Sequence, residues 1–213
     1  MSEGNEILDK KEQRNLWKSI WLEPRETVRY AIDHKTMKYA LMLVLIASLF
    51  DVLNVMTQNN LDTTIPASGF IIWLIVLSPV LGLIGWWIGA GLATMVGTWF
   101  GGTGTFAELK MAYALSCIPV IIGGLIWIPD LLILGKSLFL EDISVSGWRL
   151  IWQFFSGFIG IVIGIWSFII TVMIVAEAHR ISGWRGFWTV VIPSALIVIV
   201  VLIFFLPFLF LLF

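Results

Sequence analysis

The sequence predicts an all-α, polytopic integral membrane bundle of five transmembrane helices, with the amino terminus in the cytoplasm and the carboxyl terminus outside. Three observations predict it. Of 213 residues, 59% are hydrophobic and only 13% charged, at a mean hydropathy of +0.97, which would leave most of a water-facing surface apolar. Five apolar runs, at about 37–56, 70–99, 111–134, 150–176 and 187–213, are each long enough to cross a hydrocarbon core of roughly 30 Å as helix. Eight of the 13 Lys and Arg residues lie before or at the very start of the first run. The length suits one compact bundle, so the chain divides into a cytoplasmic or interfacial segment at 1–36 and a five-span domain at 37–213.

Strands are a poor alternative, because the runs lack polar/apolar alternation and a barrel would need many more crossings. Orientation follows from the loops. The amino-terminal segment holds Lys10, Lys11, Arg14, Lys18, Arg25, Arg29, Lys35 and Lys38, whereas the loop at 57–69 holds no basic residue. Lys110, Arg180 and Arg185 add to the inside; Lys136 and Arg149, beside Glu141 and Asp142, are left outside. The charged first 35 or so residues argue against a cleavable signal peptide, so the first span is expected to remain as an anchor. Basic residues after Lys38 are scattered between apolar runs, which argues against nucleic acid as a partner. The single cysteine, Cys117, excludes an internal disulfide, and no Cys/His spacing suits zinc or a cofactor.

Trp73, Trp99, Trp127, Trp148, Trp152, Trp184 and Trp188 fall near predicted span ends, where an amphipathic ring prefers the headgroup layer; Trp86, Trp87 and Trp166 are mid-span exceptions. At about 45 Å the second run is too long for a straight crossing, so tilt, extension or a break is expected, with Pro79 as the kink point. Before the first span, Trp17, Ile20 and Trp21 offer an apolar edge, and Pro24 opens a helix with Val28 and Ile32 on one face. That amphipathic segment either lies on the inner leaflet or packs under the cytoplasmic end of the bundle.

Small residues recur at helical spacing: Gly82, Gly85 and Gly89 in the second span, Ser156, Gly160 and Gly164 in the fourth. Packing within the chain is one use of such stripes, and a dimer or partner-helix interface is the other. Asp51 and Asn54 share a face of the first span about 20 Å from Lys38, and Asp130 lies at comparable depth in the third. They either form a proton or cation site together or mark the outer interface. At the cytoplasmic side, Glu108 and Lys110 open the third span while Glu177, His179 and Arg180 close the fourth. A Glu with a His can do acid/base work or bind metal, but charges at a headgroup boundary ordinarily pair or solvate. Gly101, Gly102 and Gly104 form a loop without a Walker ending, and Thr105 with Glu108 fits a capping box. His34 is expected to be solvated.

Two stretches carry a resemblance: Ile20-Trp21-Leu22-Glu23-Pro24-Arg25-Glu26-Thr27, and Gly104-Thr105-Phe106-Ala107-Glu108 running into Ala112-Tyr113-Ala114-Leu115-Ser116-Cys117-Ile118-Pro119. With Glu177-Ala178-His179 after the fourth span, they resemble the Yip domain family, named for Ypt/Rab-interacting proteins. The resemblance implies a non-enzymatic multispan protein in which Tyr113 and Pro119 are structural motif residues. Eukaryotic relatives bind Rab GTPases and one another. Here the amino-terminal region is short, and the acidic Asp-Leu-x-Gly-Pro motif is replaced by Leu77-Ser78-Pro79. The chain therefore looks more like the bacterial and archaeal branch, which implies a prokaryotic plasma membrane and a link to ABC exporter complexes.

Two functions follow as expectations. One is a scaffold or accessory subunit that binds other membrane proteins, or itself, through Gly-rich faces. The other is a small ion- or proton-coupled transporter or channel, with Asp51, Asn54 and Asp130 lining a route through a homo-oligomer. An intramembrane enzyme ranks last, because no His-Glu metal motif, Ser/His pair or Asp dyad is evident.

Overall fold

The computed structural model describes residues 14–58, 72, 76–138 and 146–212, and among these there is no strand. The expectations placed on Lys10, Lys11, Trp73, Glu141, Asp142 and most of the loop at 57–69 lie outside the described residues. In chain order the helices are α1 (Leu16–Ser19), α2 (Pro24–His34), α3 (Met37–Gln58), α4 (Ser78–Trp99), α5 (Phe106–Leu115), α6 (Cys117–Gly124) and α7 (Trp127–Ile133). A 3-10 turn at Gly135–Leu138 leads on to α8 (Trp148–Ala178) and α9 (Gly183–Leu212). Four stretches among the described residues are long and apolar enough to cross a membrane: Ser78–Trp99, Phe106–Ile133, Trp148–Ala178 and Gly183–Val200. The 22-residue α3 packs against α4, α5 and α6 beside them.

The stretch Phe106–Ile133 is the hub, with half of its most apolar window buried inside the chain against 17–22% for the other three. It touches α3 and α4 on one side and α8 on the other. It is also broken twice, at Ser116 and around Leu125–Ile126, and the breaks have one cause. A proline has no N–H to offer the carbonyl four residues earlier, and its ring crowds that carbonyl. Pro119 and Pro129 therefore deny the Leu115 and Leu125 carbonyls a donor four residues on, and α5 ends at Leu115 while Leu125 caps α6 and accepts from the Ile128 N–H instead. Pro79 lies in the first turn of α4, which directly follows the π-helical residues Val76 and Leu77, so the helix geometry changes beside the proline expected as the kink point.

Lipid is as apolar as a leucine side chain, so helices in a membrane associate through close packing rather than hydrophobic transfer. The core is built accordingly from Ala40, Ala47, Ala90, Ala93, Ala112, Ala114 and Ala178, which let backbones approach, with Leu43, Leu109, Leu115, Ile118 and Ile174 filling between them. These residues come from the start of α3, the end of α4, the start of the hub and the end of α8, so the core lies at one end of the bundle.

The same end receives α2. Pro24, Thr27, Val28 and Ala31 form an i, i+3, i+4, i+7 stripe, and all four are buried where α2 packs on α5 and α8. Its apolar face is thus covered by the bundle, the second of the two placements open to this segment. The Thr27 hydroxyl lies 2.7 Å from the Glu23 carbonyl oxygen and 2.8 Å from Ser19 Oγ, tying α2 to α1.

Two of the mid-span tryptophans also have structural partners. Trp86 Nε1 donates to the Lys110 carbonyl at 2.8 Å, joining α4 to α5, and Trp87 meets Phe106 edge-on at 5.5 Å. Trp99, Trp148 and Trp184 are exposed at helix ends.

Candidate functional site

The polar groups at the packed end form a clasp across α2, α5 and α8. Its first anchor is the start of α5, where helix geometry leaves backbone N–H groups unpaired. Thr105 Oγ1 accepts from the Glu108 N–H at 3.3 Å, and Glu108 Oε2 accepts from the Thr105 N–H at 2.7 Å, the two halves of a capping box. Glu108 then uses its second oxygen, Oε1, for Arg180 at 2.8 Å and for Arg29 at 3.7 Å.

The end of α8 presents Arg180 to that carboxylate. Ile181 N–H donates to the Ala176 carbonyl at 2.9 Å and Arg180 N–H to the Glu177 carbonyl at 3.0 Å, a Schellman ending that needs a left-handed residue between them. That residue is Arg180, at φ 58°, where glycine is the ordinary choice and a side chain costs roughly 1 kcal/mol. The cost coincides with a contact glycine could not make, the guanidinium bond to Glu108.

Arg29 completes the clasp from α2. Its Nη2 donates to the Glu177 carbonyl at 2.7 Å and to Glu177 Oε1 at 3.0 Å, while Arg25 stands 3.9 Å from the other oxygen. A cation at the carbonyl end of α8 also complements the helix dipole. The neighbouring Lys110 pairs with no carboxylate among the described residues; its ammonium sits 4.8 Å from the centre of the Phe106 ring.

Beneath these charges His179 is fully buried. Its Nε2 lies 3.0 Å from the Ala93 carbonyl, which can only accept, so Nε2 carries the proton and Nδ1 has no partner among the described residues. Burial pushes this imidazole below its ordinary range, against the opposing effects of the Ala93 bond and the Glu108 charge. The ring fits only because of glycine. A Cβ on Gly97 would collide with the ring, one on Gly102 would lie 2.5 Å from Nδ1, and one on Gly104 would lie 2.6 Å from the Ala178 carbonyl. Gly102 and Gly104 thus serve close approach to α8, whereas Gly101, at φ 79°, serves the turn.

The other polar candidates go elsewhere. Asp130 is buried and bonded to α8, accepting from Trp152 Nε1 at 2.8 Å and Ser156 Oγ at 2.7 Å. Asp51 instead borders a cavity among α3, α4, α5 and α6, and Asn54 Nδ2 donates to the Phe50 carbonyl. The structure therefore gives Asp51 and Asp130 different surroundings. Of the small residues, Gly82 packs on Ser48, Gly89 lies near Tyr113 and Ser156 serves Asp130, while Gly85, Gly160 and Gly164 have no neighbour within 4 Å of a built Cβ. Pro119 is buried at the first hub break, and Tyr113 lines the same cavity as Asp51. His34 is exposed and stacks on Tyr30.

Arg29 and Gly97 were not singled out by motif. Arg25 and Arg29 do stand four apart on one face of α2, the spacing that lets two arginines serve one acidic partner. Among the described residues no three of His, Cys, Asp and Glu gather as a metal site.

Fold and clasp together define an integral membrane protein of several apolar helices, locked at one end by a charged network around a buried histidine. The Yip1 domain profile matches residues 18–205, from the α1 residues through most of α9, and the chain belongs to that family. No curated protein and no solved structure matches the chain.

Proposed function

We propose that this Yip1-family protein is a non-enzymatic scaffold or accessory subunit of a membrane complex in a prokaryotic plasma membrane, with an ABC exporter as the partner class its resemblance suggests. In this reading α3 is the fifth crossing, the amino terminus is cytoplasmic and the carboxyl terminus is outside. The clasp then faces the cytoplasm, in keeping with the excess of Lys and Arg on that side. Reporter fusions test the orientation: activity only in the cytoplasm for an amino-terminal fusion, and only outside for one after Gly147. The reverse pattern would sink it.

The observation that carries the scaffold role is the outward face of α8. Gly157, Gly160 and Gly164 are exposed along one side of this 31-residue helix, with open space where a Cβ would stand. Each glycine costs about 1 kcal/mol of helix propensity relative to alanine, a cost offset where another helix must come close. The clasp charges, meanwhile, are bonded to one another, which leaves them a structural task. Tagged purification from native membranes should recover a stoichiometric partner by mass spectrometry, and Gly160→Leu should lose it while the protein remains folded. Retention of the partner by that variant would refute the assignment of the face.

Asp51 beside a cavity favours a second reading, a small ion- or proton-coupled transporter working as a homo-oligomer. Recovery of only a homo-oligomer in the same purification would favour it over the scaffold.

A further inference from the structure

A cavity of about 410 Å³ opens between α3, α4 and the α5–α6 break, toward the opposite end of these helices from the clasp. Local features of the chain shape it. At Gly82 the two helices approach so closely that a Cβ would lie 2.5 Å from Ser48 Cβ, whereas one turn on, at Gly85, nothing lies within 4 Å of a Cβ and the walls part. The break at Ser116 turns two further polar groups back onto the chain, since Ser116 Oγ and Cys117 Sγ both bond the Tyr113 carbonyl. Among the described residues the lining holds one acid, Asp51, and no Lys, Arg or His. Asp51 takes part in none of the ion pairs among the described residues.

We propose that this cavity binds an organic monocation, with its ammonium-type centre against Asp51 and its apolar body on Trp86 and Tyr113. The charge follows from one carboxylate with no cationic side chain among the described lining residues. The organic character follows from the walls, whose surface toward the cavity is mostly apolar. A hard inorganic cation gives up its water only to a shell of about six oxygens closed around it, whereas here the Ser48 and Ser116 hydroxyls are turned back onto the Leu45 and Tyr113 carbonyls and Asp51 supplies the only charged oxygens among the described lining residues. An alkylated ammonium is weakly hydrated, tolerates an apolar wall and is attracted to aromatic faces. The volume falls in the range of roughly 300–1,000 Å³ typical of small-molecule sites. Two sources share this chemistry, an amine-bearing lipid headgroup and a free amphiphilic cation. The site is separate from the clasp and from the outward face of α8, and it stands whether or not the scaffold reading does.

The full chain in phosphatidylglycerol nanodiscs, titrated with radiolabelled tetraphenylphosphonium, tests the proposal. Wild type should show saturable binding that Asp51→Asn weakens by at least about tenfold, the scale of a lost ion pair of about 1.4 kcal/mol, and that Asp51→Glu largely keeps. Gly85→Leu, which fills the cavity without touching charge, should weaken binding comparably. It carries the test alone if Asp51→Asn elutes as aggregate. Absence of saturable binding to wild type, or wild-type binding by folded Asp51→Asn or Gly85→Leu, overturns the proposal. Replacing half the lipid with phosphatidylethanolamine separates the sources. Weaker probe binding assigns the site to a lipid amine, and unchanged binding assigns it to a free cation.

Discussion

Gly97→Ala is expected to destabilise the protein by about 2 kcal/mol and His179→Ala by about 3 kcal/mol, yet the double variant should fall short of their sum by about 2 kcal/mol. The reason is that both changes act on one space. The methyl group at position 97 collides with the imidazole, which has no room to move because Gly102 lies against its other side. Removing the ring vacates the place the methyl needs. Thermal unfolding in mild detergent of the four proteins measures the coupling, and additive effects would show that the ring and the α4 backbone are not in contact. The ring also gives stability a pH dependence. Its folded pKa is depressed below 6.5, chiefly by burial, so the unfolded chain takes up a proton before the native protein does. Stability is then full above about pH 6.5 and is lost as the pH falls below it, by up to about 1.4 kcal/mol per unit until the native imidazole titrates. Wild type should lose more stability than His179→Gln between pH 7.5 and 5; equal slopes would place the proton uptake elsewhere.

The helices were legible because lipid demands apolar length and little else of a span. Runs expected at 37–56 and 150–176 compare with α3 at Met37–Gln58 and α8 at Trp148–Ala178, within two residues at each end. The Thr105–Glu108 capping box was legible for a related reason, since both partners sit within one turn. What escaped was of two kinds. The hub breaks were encoded locally by Pro119 and Pro129, but composition alone treats an apolar run as continuous. The clasp pairs were not encoded locally at all. Arg29 and Glu177 are 148 positions apart, and nothing near either names the other until α2 has folded under the bundle. Asp130 shows the same limit at shorter range, because nothing beside it in the sequence names Trp152 and Ser156, which donate to its two oxygens.

Those long-range pairs make Arg29→Met the second large effect, at about 1–3 kcal/mol. Methionine keeps the packing of the stem and removes the charge, so Glu177 loses its nearest cation, its carbonyl loses a donor, and Glu108 is left with Arg180 alone. Breaking a fully buried pair costs about 3–5 kcal/mol, because a charge is stranded away from water. Here the side chains of Arg29 and Glu177 are 29% and 28% exposed, and partial hydration lowers the figure. Arg14 supplies the comparison. It pairs with Glu23 and Glu26, whose side chains are 56% and 68% exposed, so Arg14→Met should cost no more than about 0.5 kcal/mol. The ordering matters more than either value, since both variants delete one guanidinium with two acidic neighbours and differ in whether that guanidinium joins separate helices of the bundle. If both melt alike in mild detergent, the clasp is surface pairing and the packed alanines alone hold α2 in place. If Arg29→Met melts far lower, and Glu177→Gln in the same chain recovers part of the loss, the charges lock α2 to the end of α8.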